Sequence, residues 1–279
     1  MDFKAYGKIN LSLDVTGVLP NGYHSVSMVM QSVELCDIIS IEKSESVSVT
    51  CYNPEIPDGK DNLAHKACQL MIDEFNIPHG FDIKIKKVIP VAGGMAGGST
   101  DAAAVMRGIN EMCCLGASLE KLMELGVTLG ADIPFCIQGK PALAEGIGEK
   151  LTPIKGLSKD FYILLVNPNV SVSTKEIYTR IDNSKKFNCV NNIALIDALK
   201  NEDMPKIFEN MVNVMESVTK ELCPRVSEIV NKLKENGAKA SLMSGSGATC
   251  YGVFDNLETA EKAQSAFDKY FTAITNPVE

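Results

Sequence analysis

Apolar and polar residues alternate near the start of the chain, with an apolar side chain at every second position from Ile9 to Val15. A period of two predicts a half-buried strand over residues 9–15, and its polar face carries Lys8 and Asn10. The same reasoning predicts strands over residues 26–35, 37–42, 47–51 and 81–85. Apolar residues at helical spacing predict a helix over residues 62–75.

The rest of the chain mixes helices and strands without regular alternation, which indicates an α+β fold. The predicted elements are helices over 102–112 and 118–129, a strand to which residues 131–137 lead, and a glycine-broken strand or hairpin over 142–154. The later ones are a strand over 161–166, helices over 174–181, 204–222, 224–236 and 257–271, and a hairpin over 240–254. The polar segment 155–159 separates two predicted domains, residues 1–156 and 157–279.

Composition predicts a globular protein of the cytoplasm. The 279 residues are 45 % hydrophobic and carry a net charge of −8, which argues against a nucleic-acid-binding surface. We expect no contact with a membrane, because no segment approaches the ~18 apolar residues that a membrane span needs. The nine cysteines form no CxxC pair, and we expect them to be reduced, buried thiols.

Residues 90–106, PVAGGMAGGSTDAAAVM, form the most informative segment of the chain. Four glycines lie between a predicted strand and a predicted helix, and open backbone N–H groups at a helix N-terminus bind phosphate. The segment is not a P-loop, because Ser99 follows Gly98 where a lysine is required. Its glycines also lack the spacing of a dinucleotide-binding turn. An ordinary tight turn is the alternative interpretation.

Three segments resemble, in order, the motifs of the GHMP kinases: KINLSLDV from Lys8, the glycine loop, and MSGSGATCYGVF from Met243. The resemblance implies a ribosomal-S5-domain-2-like domain and a ferredoxin-like domain, with the active site in the cleft between them. It also implies ATP as co-substrate and Mg²⁺ as cofactor. NGYH, GADIPF and GIGEKL further resemble the branch of this family whose alcohol acceptor carries a cytidine diphosphate group.

Members of that branch transfer the γ-phosphate of ATP to the 2-hydroxyl of a methylerythritol unit, on a route to isoprenoid precursors that bypasses mevalonate. The resemblance therefore implies two small-molecule partners, ATP and a cytidine diphosphate methylerythritol, and a monomer or homodimer. Two alternatives remain: a GHMP kinase with another alcohol acceptor, and a non-catalytic nucleotide-binding or sensor protein on the same fold. The presence of Lys8 and Asp132 argues against the second alternative.

Asp132 and Lys8 resemble the catalytic residues of the family. Asp132 precedes Pro134, and its carboxylate is expected to accept the proton of the acceptor hydroxyl. Lys8 is expected to hold Asp132 ionised, to lower the pKa of the acceptor hydroxyl, or to neutralise charge on the transferring phosphoryl group. A turn or helix-capping aspartate and a solvated strand lysine are the structural alternatives.

The resemblance also implies residues that hold the acceptor. Tyr23 and His24 resemble the residues that hold the cytosine ring, and Asn10 resembles a further substrate contact. Thr174 and Tyr178 lie four residues apart on one helical face and resemble a hydroxyl contact and a second aromatic wall. A turn histidine, a helix N-cap and a half-buried tyrosine are the structural alternatives.

The nucleotide is expected to lie along the glycine loop. The implied ATP-binding residues are Pro90, Val91, Ala92, Gly93, Gly94, Met95, Ala96, Gly97, Gly98, Ser99 and Thr100, with Asn62 and Lys87 beside the adenine. The third motif, with Gly245, Ser246 and Gly247, is expected on the phosphate side, and Ser99 and Thr100 are expected near Mg²⁺. A helix N-cap for Asn62, a surface charge for Lys87 and a hairpin turn for the third motif are the alternatives.

The chain departs from the family pattern at several positions. Ala96 stands where glycine is frequent, and phosphate can still approach if this residue does not need a positive φ. Leu19 and Asn21 replace a basic residue and an aspartate before GYH, which affects the rim of the expected cytidyl pocket. Gly7 stands where alanine is common.

Overall fold

The computed structural model describes residues 1–183 and 190–279, which form two compact units. The first unit consists of Met1–Gly7, Leu35–Val91 and Ala96–Gly139, and the second of Lys8–Glu34, Ala92–Met95 and Lys140–Glu279. The chain therefore passes several times from one unit to the other, and each unit contains part of the glycine loop. These units differ from the predicted domains, residues 1–156 and 157–279, because each unit consists of several separate segments. The predicted domain boundary after residue 156 stays a prediction.

Two long strands begin the fold, β1 (Asp2–Val18) and β2 (His24–Ser44). The strand predicted over residues 9–15 is confirmed, and the two strands predicted over 26–35 and 37–42 are one continuous strand. The polar face of β1 is not solvated, because Lys8 is 5 % exposed and Asn10 is fully buried. Buried polar side chains need hydrogen-bond partners inside the protein, so this face must be matched by other polar groups of the second unit.

The first unit combines strands with helices that pack on one another. Its further elements are β3 (Ser48–Cys51), a 3₁₀ turn (Gly59–Asp61), α1 (Leu63–Phe75), β4 (Gly80–Lys86), α2 (Gly97–Met112), α3 (Leu119–Val127) and α4 (Ile133–Gln138). β4 pairs antiparallel with β2 and parallel with β3, and α1 packs on α2. Gly108 brings α2 close to the strands, since a Cβ there would lie 2.8 Å from side-chain atoms of Phe3 and Ile41. The two strands and the helix predicted over 47–85 are confirmed.

The prediction that residues 131–137 lead into a strand is wrong, because α4 is a helix. Pro134 lies in its first turn, where the missing backbone N–H has no helical partner to lose. All residues from Ile133 to Ile137 are buried. A short apolar run without alternation can be either a buried helix or a buried strand, so periodicity could not separate them.

The second unit contains a hairpin, a four-stranded sheet and six helices among the residues that the structure describes. The strands are β5 (Ala142–Gly146), β6 (Lys150–Pro153), β7 (Tyr162–Asn167), β8 (Ala240–Met243), β9 (Cys250–Phe254) and β10 (Phe271–Thr275). The helices are α5 (Thr174–Asn183), α6 (Asn192–Asn201), α7 (Met204–Asn210), α8 (Val214–Leu222), α9 (Pro224–Glu235) and α10 (Leu257–Gln264). β5 pairs with β2 and forms the predicted hairpin with β6, and the antiparallel sheet has the order β10-β7-β9-β8.

The helix predicted over residues 204–222 is divided into α7 and α8. The backbone N–H of Leu13 donates to the carbonyl of Val212 at 2.9 Å, which draws residues 211–213 out of the helix and alongside β1. Asn213 then caps α8 by accepting from the backbone N–H of Met215. Helix α6 was not predicted. The last helix, predicted over residues 257–271, ends at Gln264, and residues 271–275 form a strand that pairs with β7 instead.

The cysteines differ in exposure. The predicted buried state is confirmed for Cys51, Cys68, Cys136, Cys223 and Cys250. It is wrong for Cys114, which is exposed, while Cys36 and Cys113 are half-buried; Cys189 lies outside the described residues. In residues 1–183 and 190–279, no helix combines the length and apolar character that crossing a membrane requires.

Candidate active site

The first turn of α2 has open backbone N–H groups because the residue before it cannot cap the helix. Ala96 occupies the N-cap position and has no side-chain oxygen, whereas Asn62 and Ser118 cap α1 and α3 with their side chains. The open N–H groups and the positive end of the helix dipole favour a bound phosphate. Ala96 has a φ of +58°, so the condition that this residue does not need a positive φ is not met. It takes a left-handed conformation that glycine adopts at lower cost.

In the second unit, residues 93–95 of the glycine loop lie against the backbone of the third motif. Ser244 donates its hydroxyl to the carbonyl of Gly94 at 3.0 Å, and the N–H of Thr249 donates to the carbonyl of Gly93 at 3.2 Å. Gly94 has a φ of +76°, and a Cβ on this residue would lie 2.1 Å from the carbonyl oxygen of Ser244. Glycine is therefore required here both for backbone conformation and for space.

Lys8 lies between these two segments of the second unit. Its backbone N–H donates to the carbonyl of Met95 at 3.2 Å, and its Nζ lies 3.3 Å from where a Cβ on Gly245 would stand. The ammonium donates to the side-chain oxygen of Asn10 at 2.7 Å. A neutral amide orients this buried charge without cancelling it, so the ammonium can attract an anionic ligand. Asn10 also donates to the sulfur of Met28, so the structure shows it as the partner that orients Lys8.

The third motif is more constrained than an ordinary hairpin turn. Asn213, which also caps α8, donates its amide to the carbonyls of Met243 and Gly245, each at 2.8 Å. The hydroxyl of Ser246 lies 2.8 Å from that of Thr174 at the start of α5. The loop between β8 and β9 is thereby linked to two helices of the second unit.

The structure brings His24 and Tyr178 together. Their rings stack with centroids 4.2 Å apart and planes inclined by 17°. His24 Nε2 also lies 2.8 Å from a carboxylate oxygen of Asp182. Sequence reasoning missed Asp182, although it follows Tyr178 by four residues, just as Tyr178 follows Thr174. Tyr23 is 61 % exposed. The ring that stacks on Tyr178 is therefore His24, and a sandwich between Tyr23 and Tyr178 stays a hypothesis.

Asp132 and Asn62 lie in the first unit and use their side chains differently. Asn62 accepts from the backbone N–H of Ala64 at 2.8 Å and donates to the carbonyl of Pro57 at 2.9 Å, which confirms the N-cap interpretation of this residue. Asp132 immediately precedes α4 and is half-buried. Its carboxylate makes no hydrogen bond to the first turn of α4, a helix that the structure describes in full. A capping role does not account for Asp132.

Lys87 is not the surface charge that its place at the end of a strand suggested. Its side chain is 6 % exposed, and its Nζ contacts the carboxylate of Asp37 and lies 2.9 Å from that of Asp101. Asp37 also accepts from the backbone N–H groups of Val88 and Ile89. A Cβ on Gly97 would lie 2.8 Å from this Nζ, so the ammonium lies directly beside the first turn of α2.

Two carboxylates compete for this one ammonium. Burial raises the pKa of Asp101 from 3.8 to about 7, and the Asp37 carboxylate adds to this effect, while Lys87 opposes it. Asp101 is the weaker competitor, because Asp37 is also stabilised by two backbone N–H groups. One oxygen of Asp101 is buried without a hydrogen-bond partner among the described residues. Burial lowers the pKa of Lys87, but the two carboxylates outweigh burial and hold that pKa above its ordinary value.

The two hydroxyl residues expected near Mg²⁺ are in different environments. Thr100 is 1 % exposed and donates its hydroxyl to the carbonyl of Tyr6 at 2.5 Å. Ser99 is half-buried. Within the described ranges 1–183 and 190–279, no group of three or more His, Cys, Asp or Glu side chains is arranged to hold a metal ion.

Comparison with known proteins connects this geometry to a family. Residues 62–140 match the model of the GHMP kinases N terminal domain, and residues 195–273 match that of GHMP kinases C terminal. The chain belongs to the GHMP kinase family. The N-terminal match contains Asp132 and the whole glycine loop, and the C-terminal match contains the third motif.

Individual relatives of this GHMP kinase match along almost the whole chain. It is 46 % identical over 265 residues to a protein of Clostridium perfringens named 4-diphosphocytidyl-2-C-methyl-D-erythritol kinase, covering 94 % of this chain and 92 % of that one. A protein of the same name from Clostridioides difficile is also 46 % identical, with 93 % and 90 % covered. A crystal structure of 4-(cytidine 5'-diphospho)-2C-methyl-D-erythritol kinase is 28 % identical, covers 99 % of both chains and has a TM-score of 0.81.

More distant structures share the fold alone. A mevalonate kinase superposes with a TM-score of 0.69 at 15 % identity, covering 99 % of both chains. The predicted two-domain GHMP kinase fold is therefore confirmed. This GHMP kinase is an enzyme that uses ATP as its co-substrate.

We predict that the free energy of unfolding of the wild type falls relative to Asp101→Asn as the pH rises from about 4 to about 8. The pKa of Asp101 is raised to about 7 in the folded state, so its neutral form stabilises the fold at low pH and is lost as the pH rises through that value. Chemical denaturation of both proteins across this range measures the difference. If the wild type instead gained stability relative to Asp101→Asn as the pH rises, the raised pKa of Asp101 would be contradicted. The ion pair with Lys87 would then outweigh the effect of burial on this carboxyl.

We predict that Gly94→Ala destabilises the protein more than Gly116→Ala and weakens ATP binding about tenfold or more. Gly116 has a φ of +66° with open space around it, so alanine there adds only backbone strain of about 1–2 kcal/mol. Gly94 has similar strain and the additional clash with Ser244, which displaces the loop. Denaturation and calorimetric titration with ATP measure both effects. Equal losses for the two variants would exclude the contact with Ser244 as a constraint.

Proposed function

We propose that this kinase phosphorylates the 2-hydroxyl of 4-diphosphocytidyl-2-C-methyl-D-erythritol with ATP, giving the 2-phosphate and ADP. The reaction belongs to the methylerythritol phosphate route to isoprenoid precursors. Relatives named for this substrate, 46 % identical over nearly the full chain, support the proposal. The observation that carries it is the stacked pair of His24 and Tyr178, held in the same unit as Lys8 and the first part of the glycine loop. An acceptor that carries a nucleobase has a flat ring that can pack beside this stacked pair, whereas a small alcohol has none.

In this proposal the residues divide the phosphoryl transfer among them. The open N–H groups at the start of α2 hold the phosphates of ATP, and the ammonium of Lys8 attracts the transferring group. Asp132 accepts the proton of the 2-hydroxyl as its oxygen forms the new bond to the γ-phosphorus. The bond from that phosphorus to the β,γ-bridging oxygen breaks, and ADP leaves with the electron pair. Half-burial of Asp132 without a capping bond supports this role.

The remaining nucleotide contacts follow from the same arrangement. Asn62 and Lys87 flank the adenine, and since their polar groups have partners inside the first unit, they contact the base with backbone or aliphatic atoms. Gly245, Ser246 and Gly247 lie on the phosphate side. The residues fit a Mg²⁺ ion that is carried mainly by the ATP phosphates, with Ser99 as its protein neighbour, rather than an ion in a cage of carboxylates. Such an ion neutralises phosphate charge.

We also propose a cytoplasmic enzyme with small-molecule partners. The absence of a long apolar helix in the described residues is consistent with this location. One chain carries every residue to which a role is assigned here, so a monomer is sufficient for the proposed chemistry and a homodimer is compatible with it.

We predict that the purified protein releases ADP from ATP with the cytidyl substrate and not with mevalonate, homoserine or galactose. A coupled ADP assay with Mg²⁺ measures this, and detection of the 2-phosphate confirms the product. Turnover of one of the other alcohols in place of the cytidyl substrate would point to a sister kinase. Binding of ATP without turnover of any of the four would point to a sensor.

We predict that Asp132→Asn and Lys8→Met each lower kcat by a factor of about 10² or more while ATP still binds. The first change removes the proton acceptor and the second removes a charge that the transition state requires. Asp268→Asn is the matched control, since Asp268 is exposed and has no proposed role. Steady-state kinetics and ATP titration separate chemistry from binding. A near-normal kcat for Asp132→Asn would contradict the role of general base.

A further inference from the structure

One face of α5 carries three polar or aromatic residues at successive intervals of four: Thr174, Tyr178 and Asp182. Residues at this spacing lie above one another on a helix. Thr174 contacts the third motif through Ser246, while Tyr178 and Asp182 both contact His24. Two consecutive turns of a single helix thus hold one imidazole ring.

The two contacts fix different degrees of freedom of that ring. Stacking on Tyr178, with planes inclined by 17°, sets the plane of the imidazole. The contact of 2.8 Å from Nε2 to Asp182 sets the rotation of the ring within that plane. With both in place, the direction of Nδ1 is determined.

The chemistry of the partner determines which ring nitrogen carries hydrogen. An ionised carboxylate only accepts hydrogen bonds, so His24 must donate its Nε2–H to Asp182. A neutral imidazole has one donor and one acceptor nitrogen, and Nδ1 is then the acceptor. The His24 side chain is 12 % exposed. In such a poorly solvated position, water cannot supply the hydrogen bond that is lost when a ligand places a second acceptor opposite Nδ1.

We propose that Asp182 is a positioning residue that holds His24 as its Nε2–H tautomer and thereby makes the site select an amino-bearing pyrimidine over a uracil. Cytosine has an amino donor at position 4, which an acceptor nitrogen can bind, whereas uracil has a carbonyl acceptor there. The inference rests on the proposed function, in which His24 contacts the base of the acceptor substrate. Asp182 does not itself contact the reacting atoms.

A merely structural role for Asp182 makes a different prediction. The carboxylate is 46 % exposed, and exposed ion pairs contribute little to stability. Removal of Asp182 should therefore leave the fold intact, and a general loss of activity through unfolding is not expected. The state of the His24 ring and the preference for one base over another are the properties that should change.

Nitrogen NMR of the histidine rings tests the tautomer on the protein without ligands. The chain has three histidines, at positions 24, 65 and 79, and His24→Gln identifies the signals of His24. We expect a protonated Nε2 and an unprotonated Nδ1 in the wild type, a mixture of tautomers in Asp182→Ala, and the wild-type pattern again in Asp182→Glu. Glu176→Ala is the matched control, because it also removes a carboxylate from α5. The carboxylate of Glu176 pairs with Arg180 and not with His24. An unchanged tautomer in Asp182→Ala would overturn the inference.

Kinetics with the cytidyl substrate and its uridyl analogue test the consequence. We expect Asp182→Ala to raise KM for the cytidyl substrate about tenfold, while kcat and KM for ATP stay nearly unchanged. The ratio of kcat/KM for the cytidyl substrate to that for the uridyl analogue should fall by a similar factor. Asp182→Glu should recover part of the preference, and Glu176→Ala should keep all of it. Equal losses for both substrates, or a loss in kcat alone, would overturn the inference.

The outcomes also separate this inference from the proposed function. A wild type that phosphorylates the cytidyl substrate, with a preference that Asp182→Ala leaves intact, removes the role of Asp182 and preserves the function. A wild type that fails to phosphorylate the cytidyl substrate overturns the function and with it the selection of a base. The NMR measurement reports the link between Asp182 and His24 in both cases.

Discussion

The carbonyl oxygen of Ser244 lies 2.1 Å from where a side chain on Gly94 would begin. This approach joins two segments that are 150 residues apart, and the packing of the glycine loop against the third motif in the second unit depends on it. The hydroxyl of Ser244 and the N–H of Thr249 bind the same stretch of loop. Because Lys8 donates its backbone N–H to the next loop residue, Met95, the same segment also holds the main chain from which the ammonium of Lys8 extends.

Two lysines near the glycine loop illustrate how environment assigns a role. Lys87 is buried between two carboxylates, so its charge is neutralised within the first unit. Lys8 is equally buried, but its partner is the amide of Asn10, which leaves a net positive charge. Phosphate is attracted to an uncompensated cation, so Lys8 is better suited than Lys87 to bind an anionic ligand. Neither environment can be read from the spacing of the residues in the chain.

The sequence predicted the features that depend on local pattern. Alternation identified β1, helical spacing identified α1, and the glycines with their flanking elements identified the loop and its family. Features that depend on distant partners were missed: the polar face of β1 is buried, and Leu13 divides a predicted helix by pairing with Val212. Asp182 was missed for the same reason. Its spacing from Tyr178 was visible, but only the fold brings His24 to both residues.

Burial determines what each of the acidic residues can contribute. Asp101 lies deep in the first unit, where an incompletely paired carboxylate is expensive to ionise and any change in its charge acts on stability. Asp182 is nearly half exposed, so water screens its charge and its contribution to folding is small. A screened carboxylate can still orient a neighbour, because direction depends on the hydrogen bond rather than on the net free energy of the pair. The stack of His24 on Tyr178 makes that direction matter, since a ring already fixed in its plane needs one further contact to present a defined nitrogen to a ligand.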